Sequence, residues 1–499
     1  MMHDPGKSDR PIVPRKPPNK PDETQADLWA NGAEAVEGRG LAEGKPQKQT
    51  SPRAQHRTRL SQALERIRQA IEREPKRALN NLWHHVCDVD RLREAYFELN
   101  PRSAPGIDGQ SWQAYGSNLE ENLQTLSGKL RRGCYRASAV RRHYIPKADG
   151  RERPIGIPTL EDKIVQRATT EVLNVVYERE FKGFSFGFRP GRGQHDALDA
   201  LYLGIMRKHV NWVLDADIKG FFDNMDHEWL LKFLRHRIND RRLLGAVAKW
   251  LRAGVLEEGQ LSSSEVGTPQ GGSISPLLSN VYLHYVLDLW VEQWKRQQAR
   301  GEVIIVRYAD DFVMGFQSKA EAERFLRELR ERFEQFHLAL HPEKTRLIEF
   351  GRYAAAMRKK RGERRPETFD FLGFTHICDV TRKSGKFIVL RQTMRTRLRA
   401  KLAEIKEELR RRRHDPVAQT GAWLRAVVGG YYRYHAVPRN YPTMKSFYKA
   451  VGRLWRAALQ RRSHKARLTW DRMLTLINRW LPTPRILHPY PEYRSGVTT

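Results

Sequence analysis

Two adjacent aspartates, Asp310 and Asp311, lie at the centre of the run Val303 to Phe316, VIIVRYADDFVMGF. Apolar stretches of strand character flank the pair, so a β-hairpin carrying both carboxylates at its tip is expected. Neighbouring carboxylates repel, and a divalent cation is the usual relief. Hard oxygen ligands suit Mg²⁺. A lone Asp-Asp pair is also common in surface turns, so chemistry has to be argued from its company. A second segment, Trp212 to His227 (WVLDADIKGFFDNMDH), begins as a strand at Trp212, Val213 and Leu214 and reaches Asp217 before a helical turn. On a neighbouring strand, Asp217 would share metal with Asp310, and two ions about 4 Å apart clamp the attacking and leaving oxygens of a phosphoryl transfer. Asp215 and Asp223 compete for this role, and Asp215 shares a strand face with Asp217 because side chains alternate.

These residues need elements to position them. In Val266 to Leu283 (VGTPQGGSISPLLSNVYL) a rigid turn, Thr268-Pro269-Gln270, gives way to permissive Gly271 and Gly272, whose backbone can approach a ligand closely. A buried helix is expected from Pro276 onward. From about 80 to 380 strand-like runs alternate with helices, such as one from Lys319 to about Phe336. Leu60, Leu64, Ile67 and Ile71 recur at helical spacing, with order expected to begin near Arg59. Beyond about 390 strand signals fade. Met394, Leu398, Leu402, Ile405 and Leu409 form one stripe, with Arg395, Arg397, Arg399 and Lys401 on the other side. Residues 1–55, rich in Pro, Gly, Lys and Gln, read as a disordered tail.

Over 499 residues, 90 Lys and Arg stand against 58 Asp and Glu, a formal net charge of +32. Such an excess must lie on the surface and attracts a polyanion. Nucleic acid is the first candidate, because each neutralised phosphate releases counterions. A ribosomal or histone-like binder would carry the same charge, and an anionic membrane surface is a weaker alternative. No apolar run is long enough to span a bilayer, and the N-terminus lacks the apolar core of a secretion signal. The three cysteines, Cys87, Cys134 and Cys378, show no zinc-ligand spacing, which suits reduced thiols in a bacterial cytoplasm.

The three segments together resemble the reverse transcriptase family. Tyr308-Ala309-Asp310-Asp311 matches its YxDD motif and Asp217 to Phe222 its first metal-binding motif. The closer resemblance is to group II intron maturases. Tyr144-Ile145-Pro146-Lys147 with Arg153 to Pro158, then Gly183 to Arg192 (GFSFGFRPGR), His341 to Thr345 (HPEKT) and Phe371 to Phe374 (FLGF), follow in the family's order. The resemblance implies an α+β right-hand polymerase, fingers and palm, followed by an α-helical thumb or maturase domain. The implied divisions are a tail to 55, an N-terminal extension and start of fingers at 56–140, fingers and palm at 141–380, a helical thumb at 381–480 and a short tail.

The resemblance also implies roles. Asp217, Asp310 and Asp311 would hold two Mg²⁺ ions, with Asp311 in a supporting part. Lys147 and Arg153 would hold the dNTP triphosphate, and Gln270 would lie beneath nucleotide and template. Phe222 would exclude a 2′-hydroxyl, unless it is an ordinary core ring. Lys344 would give a proton to the leaving pyrophosphate or form a structural ion pair. In the thumb, Gly429 to Tyr434 and Trp455 to Arg462 interleave aromatics with cations, nominating Arg395, Arg399, Tyr431, Tyr432 and Arg433 for RNA contact by stacking and phosphate pairing. The implied partners are group II intron RNA, an RNA template with a DNA primer, and dNTPs. Many relatives carry a C-terminal HNH nuclease with zinc-binding cysteine pairs. No cysteine follows Cys378, so DNA cleavage by this chain is not expected and the primer would come from elsewhere. Two rivals remain: a domesticated relative used in phage defence, CRISPR adaptation or repair, and a splicing factor with a dead polymerase. The intact aspartates argue against the second.

Overall fold

The computed structural model describes residues 51–146, 152–257, 260–262, 271–462 and 468–493. Lys147, Gln270 and nearly all of the expected N-terminal tail lie outside these residues. Eleven strands are described: β1 (Val140–Pro146), β2 (Glu152–Ile157), β3 (Trp212–Asp217), β4 (Val255–Glu257), β5 (Gln260–Ser262), β6 (Val303–Tyr308), β7 (Asp311–Phe316), β8 (Arg346–Glu349), β9 (Phe369–Phe371), β10 (Phe374–Val380) and β11 (Phe387–Thr393). They form three sheets, ordered β2-β1-β4-β5, β6-β7-β3-β8 and β11-β10-β9.

The second sheet is antiparallel throughout and covered on both faces. Leu214, Ala216, Ile305, Phe312 and Met314 point into one core, filled by the helices Leu160–Tyr177, Ser275–Leu283 and Lys319–Glu334. Val213, Ile304, Val306, Val313 and Ile348 point into another, closed by the helix Gln194–Arg207 and the β9–β11 sheet. This is the period-two alternation of strands, here apolar on both sides. Capping fixes where the flanking helices begin. The Thr159 hydroxyl accepts from the Asp162 amide at 3.3 Å, and the Asp226 carboxylate accepts from the Trp229 amide at 2.8 Å. The first helix is Ser51–Arg73 and buries Leu60, Ile67 and Ile71. It opens eight residues before Arg59, where order was expected to begin.

The β10–β11 hairpin straddles residues 380 and 381, the expected domain boundary. Beyond Thr393 the described chain is helical: Arg395–Arg411, Val417–His435, Tyr441–Gln460 and Trp470–Trp480 enclose a third core around Ile405, Val428, Phe447 and Trp455. This unit is bonded to the sheets. The Tyr434 hydroxyl donates to the Leu372 carbonyl at 2.7 Å, within the FLGF segment. The Asn440 side chain accepts from the Thr393 amide at 3.2 Å and donates to the Thr393 hydroxyl at 2.8 Å. Among the described residues no helix is long and apolar enough to cross a membrane.

Candidate active site

The hairpin expected from VIIVRYADDFVMGF is β6–β7, paired Tyr308 to Asp311 across a two-residue turn, Ala309-Asp310. β3 pairs with β7 so that Asp217 lies directly opposite Asp311. Three carboxylates are thereby brought to one end of the sheet, Asp217 and Asp310 half-buried and Asp311 exposed. Like charges directly opposite are unfavourable without a cation. A cation reaches Asp217: Lys344 Nζ donates to Asp217 Oδ2 at 2.6 Å. It arrives because the segment before β8 follows the end of β3. His341 donates its amide to the Asp217 carbonyl at 2.8 Å, and the turn His341 to Thr345 then presents the lysine.

The competing aspartates are placed differently. Asp215 faces Arg346 across β3–β8 and pairs with it at 3.4 Å. Burial pushes its carboxyl up to about 6, and Arg346 opposes that rise. Asp223 is exposed in the turn after β3. Phe222, half-buried in the same turn, packs edge-on against Phe221 with centroids 5.5 Å apart. Arg153 lies on β2, part-buried, in the sheet that also holds β1, while Lys147 and Gln270 fall outside the described residues. The glycine following Gln270 is in close contact with β2: a Cβ at Gly271 would meet the Gly156 carbonyl oxygen at 2.6 Å.

The turn itself is tightly held. Ala309 has φ +56°, a conformation uncommon outside glycine. The GFSFGFRPGR segment packs beneath it. A Cβ at Gly187 would meet the Ala309 amide nitrogen at 2.3 Å, so only glycine allows this approach. Sequence reasoning passed over Arg307, one residue before the motif tyrosine. Its signal was a lone cation inside an apolar strand, and it is fully buried.

The thumb nominations divide. Arg395, Arg399 and Arg433 are exposed. Tyr431 and Tyr432 require correction: at 7% and 3% exposed they belong to the third core. Tyr431 stacks on Phe447 at 3.8 Å, so no face of it is open to a base. Trp455, from the other aromatic and basic segment, is fully buried as well. Packing between Val417–His435 and Tyr441–Gln460 takes the rings that composition offered to RNA.

The donor chemistry at the sheet end fits a divalent metal such as Mg²⁺, which the family generally uses. Among the described residues no three acidic, imidazole or thiol side chains already converge on one point. Mg²⁺ is commonly held by one or two carboxylates with substrate phosphates completing the shell, so a preformed protein cage is not required.

Residues 145–376 match the family model described as reverse transcriptase (RNA-dependent DNA polymerase). Protein YkfC of Escherichia coli K12 is 34% identical over 309 residues, 55% of this chain and 81% of that protein. The group II intron-encoded protein LtrA of Lactococcus lactis is 36% identical over 235 residues, 46% of this chain and 38% of LtrA. A putative COX1/OXI3 intron 1 protein of Saccharomyces cerevisiae is 30% identical over 225 residues, 45% of this chain and 27% of its own length. The chain thus spans well under half of the last two relatives. The YADD turn and its opposing aspartate lie inside the matched region, and the chain, which is similar to group II intron-encoded proteins, belongs to the reverse transcriptases, the RNA-directed DNA polymerases.

Proposed function

We propose that this chain copies RNA into DNA at the β3–β7 sheet end and clamps group II intron RNA with its helical C-terminal region. The observation that carries the polymerase assignment is the register setting Asp217 opposite Asp311 beside the turn bearing Asp310. Asp217, Asp310 and Asp311 would hold two Mg²⁺ ions, which supply Lewis acidity toward the primer 3′-hydroxyl and the phosphoryl oxygens. The chain provides no nucleophile, because the primer hydroxyl attacks. Lys344 holds a proton on Nζ at the edge of the site, poised to give it to pyrophosphate as that group departs. Arg153 and Lys147 bind the triphosphate, and Gln270 supports nucleotide and template. Phe222, five residues after Asp217, presents its ring where a 2′-hydroxyl would have to fit.

RNA binding is the second activity. Arg395, Arg399 and Arg433 offer exposed guanidinium groups on the helical region. A ligand that prefers folded intron RNA stabilises that fold, which would aid splicing. The test is primer extension on an RNA template with dNTPs and Mg²⁺, beside Asp310→Ala, with intron RNA binding measured on both proteins. Extension by wild type alone, with equal RNA binding, is expected. Extension by Asp310→Ala would remove the metal assignment, and no extension by folded, RNA-bound wild type would leave only the binding role.

A further inference from the structure

Arg307 is fully buried and bonded to four other parts of the fold. Its backbone amide donates to the Phe184 carbonyl and its carbonyl accepts from the Phe186 amide, both at 2.9 Å. Its guanidinium makes a two-pronged pair with Asp288, Nε at 2.8 Å and Nη2 at 2.5 Å. Nη1 donates to Asn280 Oδ1 and to the Ala309 carbonyl, each at 3.0 Å. Asn280 in turn donates to the Gly187 carbonyl at 2.7 Å. Asp288 has no exposed surface and pairs with Arg307, while burial pushes the neighbouring His284 down to about 4.

The way Asp288 reaches this cluster is specific. Residues eight apart on an α-helix point about 80° away from each other at 3.6 residues per turn. Between Asn280 and Asp288 the helix widens into a π turn, His284–Asp288. More residues per turn means less rotation per residue, which closes that gap and turns both side chains toward Arg307. Such π insertions recur at functional sites.

The bond to Ala309 is the informative one. That carbonyl belongs to the peptide joining Ala309 to Asp310, the central peptide of the hairpin turn. Two-residue hairpin turns come in two forms that differ in the orientation of this peptide. Ala309 has positive φ and Asp310 does not, so a single form is present here. Rotating the peptide would re-aim the Asp310 side chain.

We propose that Arg307, held by Asp288 and Asn280, is a positioning residue that locks the Ala309–Asp310 peptide and so aims the Asp310 carboxylate at the metal. The inference rests on the reading of Asp310 as a metal ligand. Two variants of the full chain test it: Arg307→Lys, which keeps the charge without the fork, and Arg307→Met with Asp288→Leu, which removes the buried pair together. Replacing both partners by apolar groups generally preserves folding, whereas stripping one strands a buried charge. Direct Mn²⁺ binding, followed by the loss of the free-ion electron paramagnetic signal, is expected to weaken about 10- to 100-fold in both, the usual scale for groups behind a metal ligand. The kcat for dNTP incorporation should fall in parallel, with KM for dNTP changed by about twofold at most, because misalignment acts on the reacting geometry. Folded variants with wild-type Mn²⁺ affinity and kcat would overturn the proposal. So would failure of both to fold, since the cluster would then serve stability. Wild-type protein that neither binds Mn²⁺ nor extends a primer would instead overturn the function beneath it.

Discussion

On the proposed reading the carboxylate turn and the basic helical region would both handle nucleic acid, and they are built on opposite terms. At the turn, short polar side chains stand at the end of a sheet packed on both faces, and the backbone around them is fixed by Gly187 and by a buried ion pair. In the helical region the nominated cations are solvent-exposed on long, flexible side chains, and the aromatics beside them are sunk into a core. Metal chemistry demands placement to fractions of an ångström, whereas phosphate attraction acts over several ångströms and tolerates motion. On that reading, rigidity is concentrated where a bond would be made, and charge where a backbone would be held.

Experiments can break this contrast. The largest effect should come from Asp217→Ala, which lowers primer extension by roughly a thousandfold, the scale of removing a preorganised charge from an active site. Its melting temperature should hardly move, because the pair it loses with Lys344 is solvent-exposed on the lysine side and such pairs contribute about 0–1 kcal/mol. Tyr431→Ala should do the reverse. It removes a stacked core ring and should cost about 3–5 kcal/mol in denaturant unfolding, the range for large-to-small aromatic changes. Tyr431→Phe should leave intron RNA affinity unchanged, and a loss of affinity in that folded variant would restore Tyr431 as an RNA contact.

Acid should weaken the joint between the regions. Burial pushes His435 down to about 3, with Arg397 adding to the shift, while its unfolded value lies near 6.5. A depressed imidazole contributes stability that is full above pH 6.5 and is lost as pH falls toward 3, because the unfolded chain takes up the proton first. Unfolding midpoints across that window should fall less steeply in His435→Gln than in wild type. The smallest effects belong to Arg395→Ala, Arg399→Ala and Arg433→Ala. Each should weaken RNA binding a few-fold and flatten its salt dependence by about one phosphate contact, with extension of a preformed primer-template nearly unchanged.

Much of the site was legible in the sequence because strands announce themselves locally. Val303–Val306 and Phe312–Phe316 are apolar runs broken by two acids, and Trp212–Leu214 leads to Asp217 in the same way. Their mutual pairing was not legible from spacing and came from the family resemblance. The helical region misled for a physical reason. Tyr431 and Tyr432 sit among glycines and cations, and only the packing of Phe447 from another helix decides that they face inward. Arg307 was invisible for a similar reason. A cation inside a strand reads as a solvent-facing position until Asp288, carried in by a π turn, is seen beside it.

The register of β3 against β7 has a consequence for how such a chain can change over generations. Side chains alternate, so adding or deleting one residue within Trp212–Asp217 would swing Asp215 and Asp217 to the opposite face and carry Leu214 and Ala216 out of their core. A substitution there changes one side chain and leaves its neighbours facing as before, whereas a change of length re-aims every side chain that follows it. A surface connection such as Thr381–Lys386 in the β10–β11 hairpin carries no such register, so a residue added there would leave the pairing of Asp217 with Asp311 untouched.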